Sequence, residues 1–293
     1  MGRELTFTKG HGTENDFVLL RDLDGLAPLD APTARWLADR HAGIGGDGVI
    51  RVVPTASVAE VADQAGEAPW FMDYRNADGS LAEMCGNGVR VFAAYLRREG
   101  LVAGSGAKGS RLGVATRSGV KWVRFEQDGS IAVDLGPWRL VGGAAAGRAG
   151  SDAEVSIAGL PGPLPGLSLD LGNPHVVVAL PGEAELELAD LSRAPVVDPV
   201  PAHGINVELV TPLEPGHIRM RVHERGVGET RSCGTGVAAA ALATRAWAGE
   251  GAPDVWQVDV RGGSLVVTAL PGDRVELRGP AELVADGTVQ LPF

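Results

Sequence analysis

The sequence is poor in the residue types that carry common cofactor and metal chemistry. It contains two cysteines, six histidines and only three lysines, Lys9, Lys108 and Lys121, among 293 residues. The two cysteines are far apart in the chain, and the histidines are single residues without a His-Glu-x-x-His pattern, which excludes the common zinc motifs. A pyridoxal enzyme needs a Schiff-base lysine, and none of the three lies in a motif that suggests one. We therefore expect neither a metal nor a cofactor.

Long apolar runs and positive charge are also scarce. The sequence has no uncharged apolar stretch of about 18 residues, and its beginning, MGRELTFTKGHGTENDF, lacks the apolar run of a signal peptide. A formal net charge of -11 disfavours nucleic acids and anionic membranes, because both partners need a basic face. We expect a cytoplasmic protein that acts on a small molecule, with no nucleic-acid or membrane partner.

Strand-like runs bounded by Gly, Pro or Asp recur throughout the chain. They are WFMDYR before residue 76, VKWVRF near 120, SIAVDL near 130, HVVVAL after 175, INVELV after 205, IRMRVHE after 218 and SLVVTAL after 264. Segment 141–166, rich in Gly, Ala and Pro, predicts a linker or loop near the midpoint. At this length two domains are favoured over one.

Helical patterns are few, and two of them follow the cysteines. The three predicted helices lie at Thr33–Arg40, after Cys85 up to Gly100, and after Cys233 up to Gly249. In MCGNGVRVFAAYL and again in SCGTGVAAAALAT, a strand and a polar turn lead into Cys-Gly-x-Gly-Val and an apolar helix. This recurrence predicts a diverged duplication with one thiol in each half.

The position of each cysteine at a predicted helix start indicates acid–base chemistry. Unpaired N–H groups and the helix dipole favour a thiolate there, which lowers a thiol pKa that is about 8.5 when free. The glycines that follow let backbone N–H groups bind a carboxylate. Inversion at a carbon beside a carboxylate needs one group that takes a proton and another that returns one to the opposite face. Two equivalent thiols meet this requirement.

Other interpretations of these motifs remain open. A free cysteine is often a buried core residue, although two in matching turns are less easily explained in this way. His223 precedes Cys233 and could assist a thiol nucleophile, but the first half has no matching histidine. GIGGDG at 43–48 matches a dinucleotide pattern, yet a helix precedes it and a strand follows, so a Gly-rich turn is the better interpretation.

Several polar residues near strand ends could together hold a charged amino-acid head group. They are Asn15, Asn76, Asn173, His175, Asn206, Glu224 and Arg225. Each alone is more often a turn former or a surface group. Together they supply amides, a carboxylate and a guanidinium, which a monocarboxylic substrate such as proline would not use.

The motifs KGHGTENDF, RHAGIGGDG, MDYRNADGSLAEMCGNGVR, GNPH, GIN and RVHERGVGETRSCGTG occur in the order found in diaminopimelate epimerases, and the chain resembles that family over nearly its whole length. Proline racemases look related in fold, but their first motif typically is Cys-Gly-His-Gly. Here it is Cys85-Gly86-Asn87-Gly88, which favours the diaminopimelate branch. A proline or hydroxyproline racemase is the alternative.

The resemblance implies an α/β fold of the α+β type with two pseudo-symmetric domains. Each domain would be a β-barrel-like sheet around a central helix, with the active site in the cleft between them. We expect the first domain at residues 1–135, joined by the C-terminal strand at about 276–293, and the second at residues 136–275. A homodimer is compatible with this interpretation.

The resemblance also implies an isomerase that interconverts L,L- and meso-2,6-diaminopimelate, a step in lysine and peptidoglycan-precursor synthesis, without a cofactor. Cys85 would donate a proton and Cys233 would accept one in the L,L-to-meso direction, with reversed roles in the other. The residues that it assigns to substrate binding are Asn15, Asn76, Gly86, Asn87, Asn173, Asn206, Glu224, Arg225, Gly234 and Thr235. It assigns to His175 and Glu224 an effect on the ionisation of the thiols.

The sequence departs from the family at Gly48. In many relatives a Gln follows the aspartate that corresponds to Asp47 and contacts the substrate, whereas here a glycine follows. That contact is therefore absent, or it is supplied by water or another residue.

Overall fold

The chain, described by a computed structural model over residues 4–102 and 111–292, forms two compact units. The first unit comprises Met1–Val133 and Gly279–Phe293, and the second comprises Asp134–Arg278. In the part of the chain that is described, no helix combines the length and the apolar character needed to cross a membrane.

Strands dominate both units. In chain order they are β1 (Glu4–Gly12), β2 (Asn15–Arg21), β3 (Gly48–Pro54), β4 (Trp70–Asn76), β5 (Arg111–Ala115), β6 (Lys121–Phe125), β7 (Ile131–Pro137), β8 (Arg139–Leu140), β9 (Ala153–Ser156), β10 (Pro163–Asp170), β11 (Pro174–Ala179), β12 (Val196–Asp198), β13 (Asn206–Glu214), β14 (His217–Glu224), β15 (Gly228–Thr230), β16 (Val255–Val260), β17 (Gly263–Leu270), β18 (Arg274–Gly279) and β19 (Glu282–Gln290). The helices are α1 (Ala31–Ala38), α2 (Gly86–Arg98), α3 (Gly143–Ala149), α4 (Glu183–Leu188) and α5 (Gly234–Ala248), with 3-10 turns at Thr55–Ser57 and Ala59–Gly66. The predicted strands and the three predicted helices are confirmed.

The same topology occurs twice. In the first unit β1 pairs antiparallel with β2, β2 runs parallel to β3, β3 is antiparallel to β4, β4 is parallel to β5, and β6 follows antiparallel. In the second unit β10, β11, β13, β14, β16 and β17 repeat these pairings in the same order. Helices α1 and α4 connect the first parallel pair of each unit, and α2 and α5 connect the second pair. The predicted duplication is confirmed.

Each unit surrounds one buried helix with its strands. Helix α2 contacts β1, β2, β3, β5, β6 and β19, and every residue from Gly86 to Leu96 is buried. Helix α5 contacts β10, β11, β13, β14, β16 and β17, and its residues from Gly234 to Ala243 are buried. A helix that is covered on all sides is expected to be mostly apolar, as both sequences are, and the buried polar exceptions in α2 are Asn87 and Arg90. The expected sheet around a central helix is therefore confirmed in each unit.

The prediction of a linker or loop at 141–166 is wrong for most of the segment, which lies inside the second unit and forms turns only between its short elements. It contains α3, β9 and the start of β10. The Asp152 carboxylate accepts hydrogen bonds from the N–H groups of Gly142 and Ser168, which fastens the segment to β10. Val155 is fully buried in the core. The small residues serve tight turns here rather than a flexible connection.

Candidate functional site

The first thiol lies at the N-terminus of α2. Cys85 is the N-cap residue in extended conformation, and its sulfur accepts a hydrogen bond from the Gly88 N–H at 3.4 Å. The Cys85 sulfur lies 3.6 Å from Asn15 Oδ1, to which it can donate when it is protonated, and this oxygen also accepts from Asn87 Nδ2 at 3.2 Å. The sulfur has both a donor and an acceptor beside it, which suits a group that gains and loses a proton.

Two predicted site residues, Asn15 and Asn76, lie with Gly48 at one edge of the first unit's sheet. Strand β2 begins at Asn15, β3 begins at Gly48, and β4 ends at Asn76, and Gly48 and Asn76 pair directly. Asn15 Nδ2 donates to Asp47 Oδ2 at 2.7 Å, and Asn76 Nδ2 donates to Ser80 Oγ at 3.0 Å. Because β2 and β3 run parallel and β4 runs antiparallel to β3, Asn15 and Asn76 lie at the same end of the sheet, and Asn15 contacts the start of α2.

The GIGGDG segment is a turn, as expected. A cluster of charged side chains holds it in place. Burial opposes ionisation of Asp16, yet hydrogen bonds from Arg40 and Lys9 keep its pKa well below the usual range. Burial raises the pKa of neighbouring Asp47, while the hydrogen bond from Asn15 acts in the opposite direction. Arg40 contacts both carboxylates and so fixes the turn against the start of β2.

The Gly48 departure has a steric cause. A β-carbon at Gly48 would lie 2.3 Å from Cε2 of Tyr74 and 2.7 Å from the Arg75 carbonyl oxygen. The Tyr74 ring and the backbone of β4 therefore occupy the space that any side chain at this position would need. A glutamine at position 48 does not fit this arrangement of β3 and β4.

Gly48→Ala is accordingly expected to lower the free energy of unfolding by about 1–3 kcal/mol, since overpacking forces a buried ring and a backbone carbonyl to move. Chemical denaturation monitored by circular dichroism measures the change. Gly66→Ala is the matched control, because a β-carbon there meets nothing within 4 Å. Equal stability of the two variants would show that Tyr74 does not restrict position 48.

A buried arginine lies about one helical turn beyond Cys85. Arg90 is fully buried, and it donates from Nε to the Pro280 carbonyl at 3.2 Å and from Nη1 to the Gly86 carbonyl at 3.4 Å. Its Nη2 has no hydrogen-bond partner among the described residues. Burial lowers the pKa of Arg90 to about 10, and the charge of Cys85 acts in the opposite direction. The guanidinium therefore favours a negative sulfur at Cys85.

The second thiol lies at the N-terminus of α5 and is in a different environment. Cys233 is 7% exposed, and the Thr235 hydroxyl is 3.6 Å from its sulfur. Burial raises the pKa of the Cys233 thiol well above its usual range, and the charges of Glu224 and Glu208 raise it further. The expectation that the helix start would favour a thiolate is wrong here, because burial and two carboxylates outweigh the helix dipole.

A continuous series of side-chain contacts connects Cys233 to the sheet. Asn173 Nδ2 donates to Thr235 Oγ1 at 3.1 Å, and Asn173 Oδ1 is 3.1 Å from His175 Nε2. The other ring nitrogen, Nδ1, is 2.7 Å from Glu208 Oε1. The structure thus brings four predicted residues together with Glu208, which was not predicted. The four are Asn173, His175, Cys233 and Thr235.

Glu208 was missed because it lies in a run that was interpreted only as a strand, INVELV. Its signal was a charged residue between Val207 and Leu209, two positions after Asn206 and hence on the same face of the strand. The side chain is fully buried. A charge in that position is uncommon unless it has a partner.

The remaining predicted residues of the second unit lie where β13 and β14 meet. The Asn206 amide donates to the Pro174 carbonyl at 3.2 Å and accepts from the Arg225 N–H at 2.9 Å, so it joins two strand ends. Glu224 accepts a hydrogen bond from the Thr230 hydroxyl. The exposed Arg225 side chain donates to the His203 carbonyl at 3.0 Å.

The two helix starts also present matching backbone. Gly86 and Gly234 are the first residues of α2 and α5. The N–H groups of a first helical turn lack partners within the helix, and together with the dipole they favour a bound anion. Each thiol is therefore next to a group of donors that suits a carboxylate.

The sequence matches one family over most of its length. The family model described as diaminopimelate epimerase matches residues 7–141 and 167–284. The diaminopimelate epimerase of Streptomyces coelicolor is 46% identical over 295 residues, which cover 98% of this chain and 96% of that protein. The diaminopimelate epimerase of Thermobifida fusca is 47% identical over 294 residues, 98% of each chain.

Solved structures of lower identity share the fold. A phenazine biosynthesis protein of the PhzF family from Bacillus anthracis has a TM-score of 0.67 at 17% identity, covering 99% of this chain and 100% of that one. A hydroxyproline epimerase from Agrobacterium vitis has a TM-score of 0.63 at 16% identity, covering 99% and 94%. Because the family model and relatives above 40% identity span nearly the full length, the chain belongs to the diaminopimelate epimerase family.

Proposed function

We propose that this protein interconverts L,L- and meso-2,6-diaminopimelate by moving the α-proton between the thiols of Cys85 and Cys233, without a cofactor. The observation that carries the proposal is the repeated helix start: each unit places one cysteine before a buried helix, beside polar side chains and the N–H groups of the first helical turn. Family membership supplies the substrate.

In this reaction one sulfur, as thiolate, takes the proton from the α-carbon, and the other, as thiol, gives its proton to the opposite face. One C–H bond breaks, one forms, and the two thiols exchange protonation states. The negative charge that develops spreads into the α-carboxylate. Backbone N–H groups around Gly86, Asn87, Gly234 and Thr235 would hold that carboxylate and stabilise the charge.

The environments of the two thiols support a defined starting state. Burial of Cys233, together with the charges of Glu224 and Glu208, keeps this thiol protonated, whereas the guanidinium of Arg90 favours charge on Cys85. The position that matches Arg90 in the second unit is Ala238. We infer that the free protein starts with Cys85 as base and Cys233 as acid, which under the roles implied by the family is the meso-to-L,L direction. The opposite direction begins after the proton has moved.

The distal amino-acid group of the substrate would be bound by polar side chains at the strand ends. These are Asn15, Asn76, Asn173, Asn206, Glu224 and Arg225. A second head group carries one carboxylate and one ammonium, which match the guanidinium, the carboxylate and the amides of this set.

We further propose that the protein works in the cytoplasm as a homodimer, following the resemblance. Light scattering of the purified protein measures the assembly.

Relative turnover of two substrate classes tests this assignment against the racemase alternative. We expect kcat/KM for L,L-diaminopimelate to exceed that for L-proline and trans-4-hydroxy-L-proline by at least about 10³-fold, because the smaller substrates leave the distal polar groups unpaired. Chiral chromatography of the products measures each rate. Equal or faster turnover of a proline substrate would replace the proposal with the racemase function.

A further inference from the structure

The contacts around His175 fix where its protons lie. Its Nε2 faces Asn173 Oδ1, which can only accept, so Nε2 carries a hydrogen. Its Nδ1 is 2.7 Å from Glu208 Oε1, and one proton must lie between these two atoms. The pair is therefore either imidazolium and carboxylate or neutral imidazole and carboxylic acid. Both forms are neutral overall, as full burial of the two side chains requires.

The same contacts determine the direction of the hydroxyl beside Cys233. Thr235 Oγ1 accepts from Asn173 Nδ2, so its own hydrogen remains available. The Cys233 sulfur is 3.6 Å from that oxygen. Because its Oγ1 accepts from Asn173, the Thr235 hydroxyl can point its hydrogen at the sulfur, and it does so when Cys233 is a thiolate with no hydrogen of its own. This donor stabilises a thiolate at Cys233 at the moment when the sulfur has lost its proton.

Glu208 also lies next to the helix start. A β-carbon added at Gly236 would lie 2.6 Å from Glu208 Oε1 and 3.3 Å from the Cys233 sulfur. The carboxylate thus packs against the first turn of α5. Its second oxygen, Oε2, has no hydrogen-bond partner within the described residues. Such an incompletely satisfied buried carboxylate is costly, and stability alone gives no reason for it.

The first unit shows what these positions hold when the pair is absent. In the parallel strand pairs, His175 aligns with Asn206 as Phe17 aligns with Gly48. Phe17 therefore occupies the position of His175. Two residues further along the neighbouring strand, Ile50 stands where the second unit has Glu208.

The apolar alternative also packs well against the helix start. A β-carbon at Gly88 would lie 3.4 Å from Ile50 Cδ1 and 3.6 Å from Phe17 Cε1, which are ordinary contacts. The fold therefore does not need a polar pair at these two positions. The histidine and the glutamate accompany one thiol only.

We propose that Glu208 is a positioning residue for Cys233: it fixes His175, so that the Asn173 amide and the Thr235 hydroxyl direct one hydrogen-bond donor at the Cys233 sulfur. Glu208 acts through His175 rather than on the substrate. The kinetic consequences rest on the proposed epimerase function, whereas the effect on the thiol does not.

Two variants of equal charge separate this role from a simple charge effect. Glu208→Gln can still hydrogen-bond to His175, and Glu208→Leu cannot. Each is made in the wild-type chain for kinetics and in a Cys85→Ser background for titration, where Cys233 is the only thiol. Thiolate formation is followed by ultraviolet absorbance as the pH rises. The exposed Glu214 at the far end of β13 gives the control Glu214→Gln.

We expect the Cys233 thiolate to form at a higher pH in the Leu variant than in the Gln variant, by about one pH unit, because a hydrogen bond to a charged sulfur is lost. Relative to wild type, the Gln variant should form the thiolate at nearly the same pH, since the His175–Glu208 pair is neutral overall and so is its His–Gln counterpart. The charged groups that act on this sulfur are Glu224 in β14 and Glu208 in β13, with His175 of β11 bonded to the latter. The control should titrate as wild type.

In the wild-type background, kcat of the Leu variant should be about tenfold below that of the Gln variant, with KM within about threefold, because neither side chain touches substrate. Equal titration and equal kcat in the two variants would overturn the proposal. If the Leu variant does not fold, Thr235→Val removes the donor itself and must raise the pH of thiolate formation; an unchanged titration then overturns it. The titration needs no substrate, so it can succeed or fail independently of the epimerase function.

Discussion

Cys233→Ala is expected to lower kcat for epimerisation by at least about 10³-fold, and Cys85→Ala by a similar factor. A positioned acid or base contributes about 10²–10⁴-fold, and each epimerisation needs both. The two losses should also be non-additive, because the double variant removes a pair that acts as one unit. Circular dichroism or chiral chromatography of diaminopimelate in steady state measures the rates.

The Cys233→Ala variant should also change how stability depends on pH. Burial and neighbouring carboxylates raise the folded-state pKa of this thiol above the unfolded value of about 8.5. Its contribution to stability is therefore complete below that pH and is lost as the pH rises further. Denaturation at neutral and alkaline pH should show a smaller alkaline loss in the variant than in wild type. A folded variant with full turnover would exclude Cys233 as an acid–base group.

Gly236→Ala is expected to lower kcat by at least about tenfold and the free energy of unfolding by about 1–3 kcal/mol. The new β-carbon would lie 2.6 Å from Glu208 Oε1, a carboxylate that is buried and held by His175 at 2.7 Å. Glu208 can move only by breaking that contact. The new β-carbon would also lie in tight contact with the Cys233 sulfur, at 3.3 Å.

The duplicated fold supplies a matched control at Gly88. Its added β-carbon would make only ordinary contacts, the nearest at 3.4 Å to Cys85 Cβ and Ile50 Cδ1. Alanine is a better helix former than glycine by about 1 kcal/mol, so Gly88→Ala should be neutral or stabilising. Thermal and chemical denaturation of the two variants measures the difference. Similar destabilisation by Gly88→Ala and Gly236→Ala would show that the His175–Glu208 pair does not distinguish the two helix starts.

Much of the fold was predictable because local patterns agreed with the final structure. Alternating apolar runs between turn residues identified the main strands, and the two buried helices followed from apolar character between Cys85 and Gly100 and between Cys233 and Gly249. The repeated Cys-Gly-x-Gly segment revealed the duplication. Helix α4 and the ordered segment 141–166 were not predicted, because short elements held by tertiary contacts leave weak local signals.

The sequence indicated the two cysteines and the amides that lie near them, but neither Glu208 nor the electrostatics around the two thiols. The motifs identified both thiols and the surrounding amides from sequence. The raised pKa of Cys233 was not predictable, because it depends on burial and on the proximity of Glu208 and Glu224, which are distant from each other in sequence. The effect of Arg90 was not predictable either, because the sequence shows only an arginine within an apolar helix. The structure shows that its side chain is fully buried near Cys85.

The central claim is that two thiols act on opposite faces of one carbon, and isotope incorporation tests it most directly. The purified protein is incubated with L,L-diaminopimelate in deuterated water, and the reaction is stopped at low conversion. Substrate and product are then separated and analysed by mass spectrometry. Two bases predict one deuterium at the inverted carbon of the meso product and none in the recovered L,L substrate. Equal labelling of recovered substrate and product would indicate a single base that serves both faces and would contradict the account.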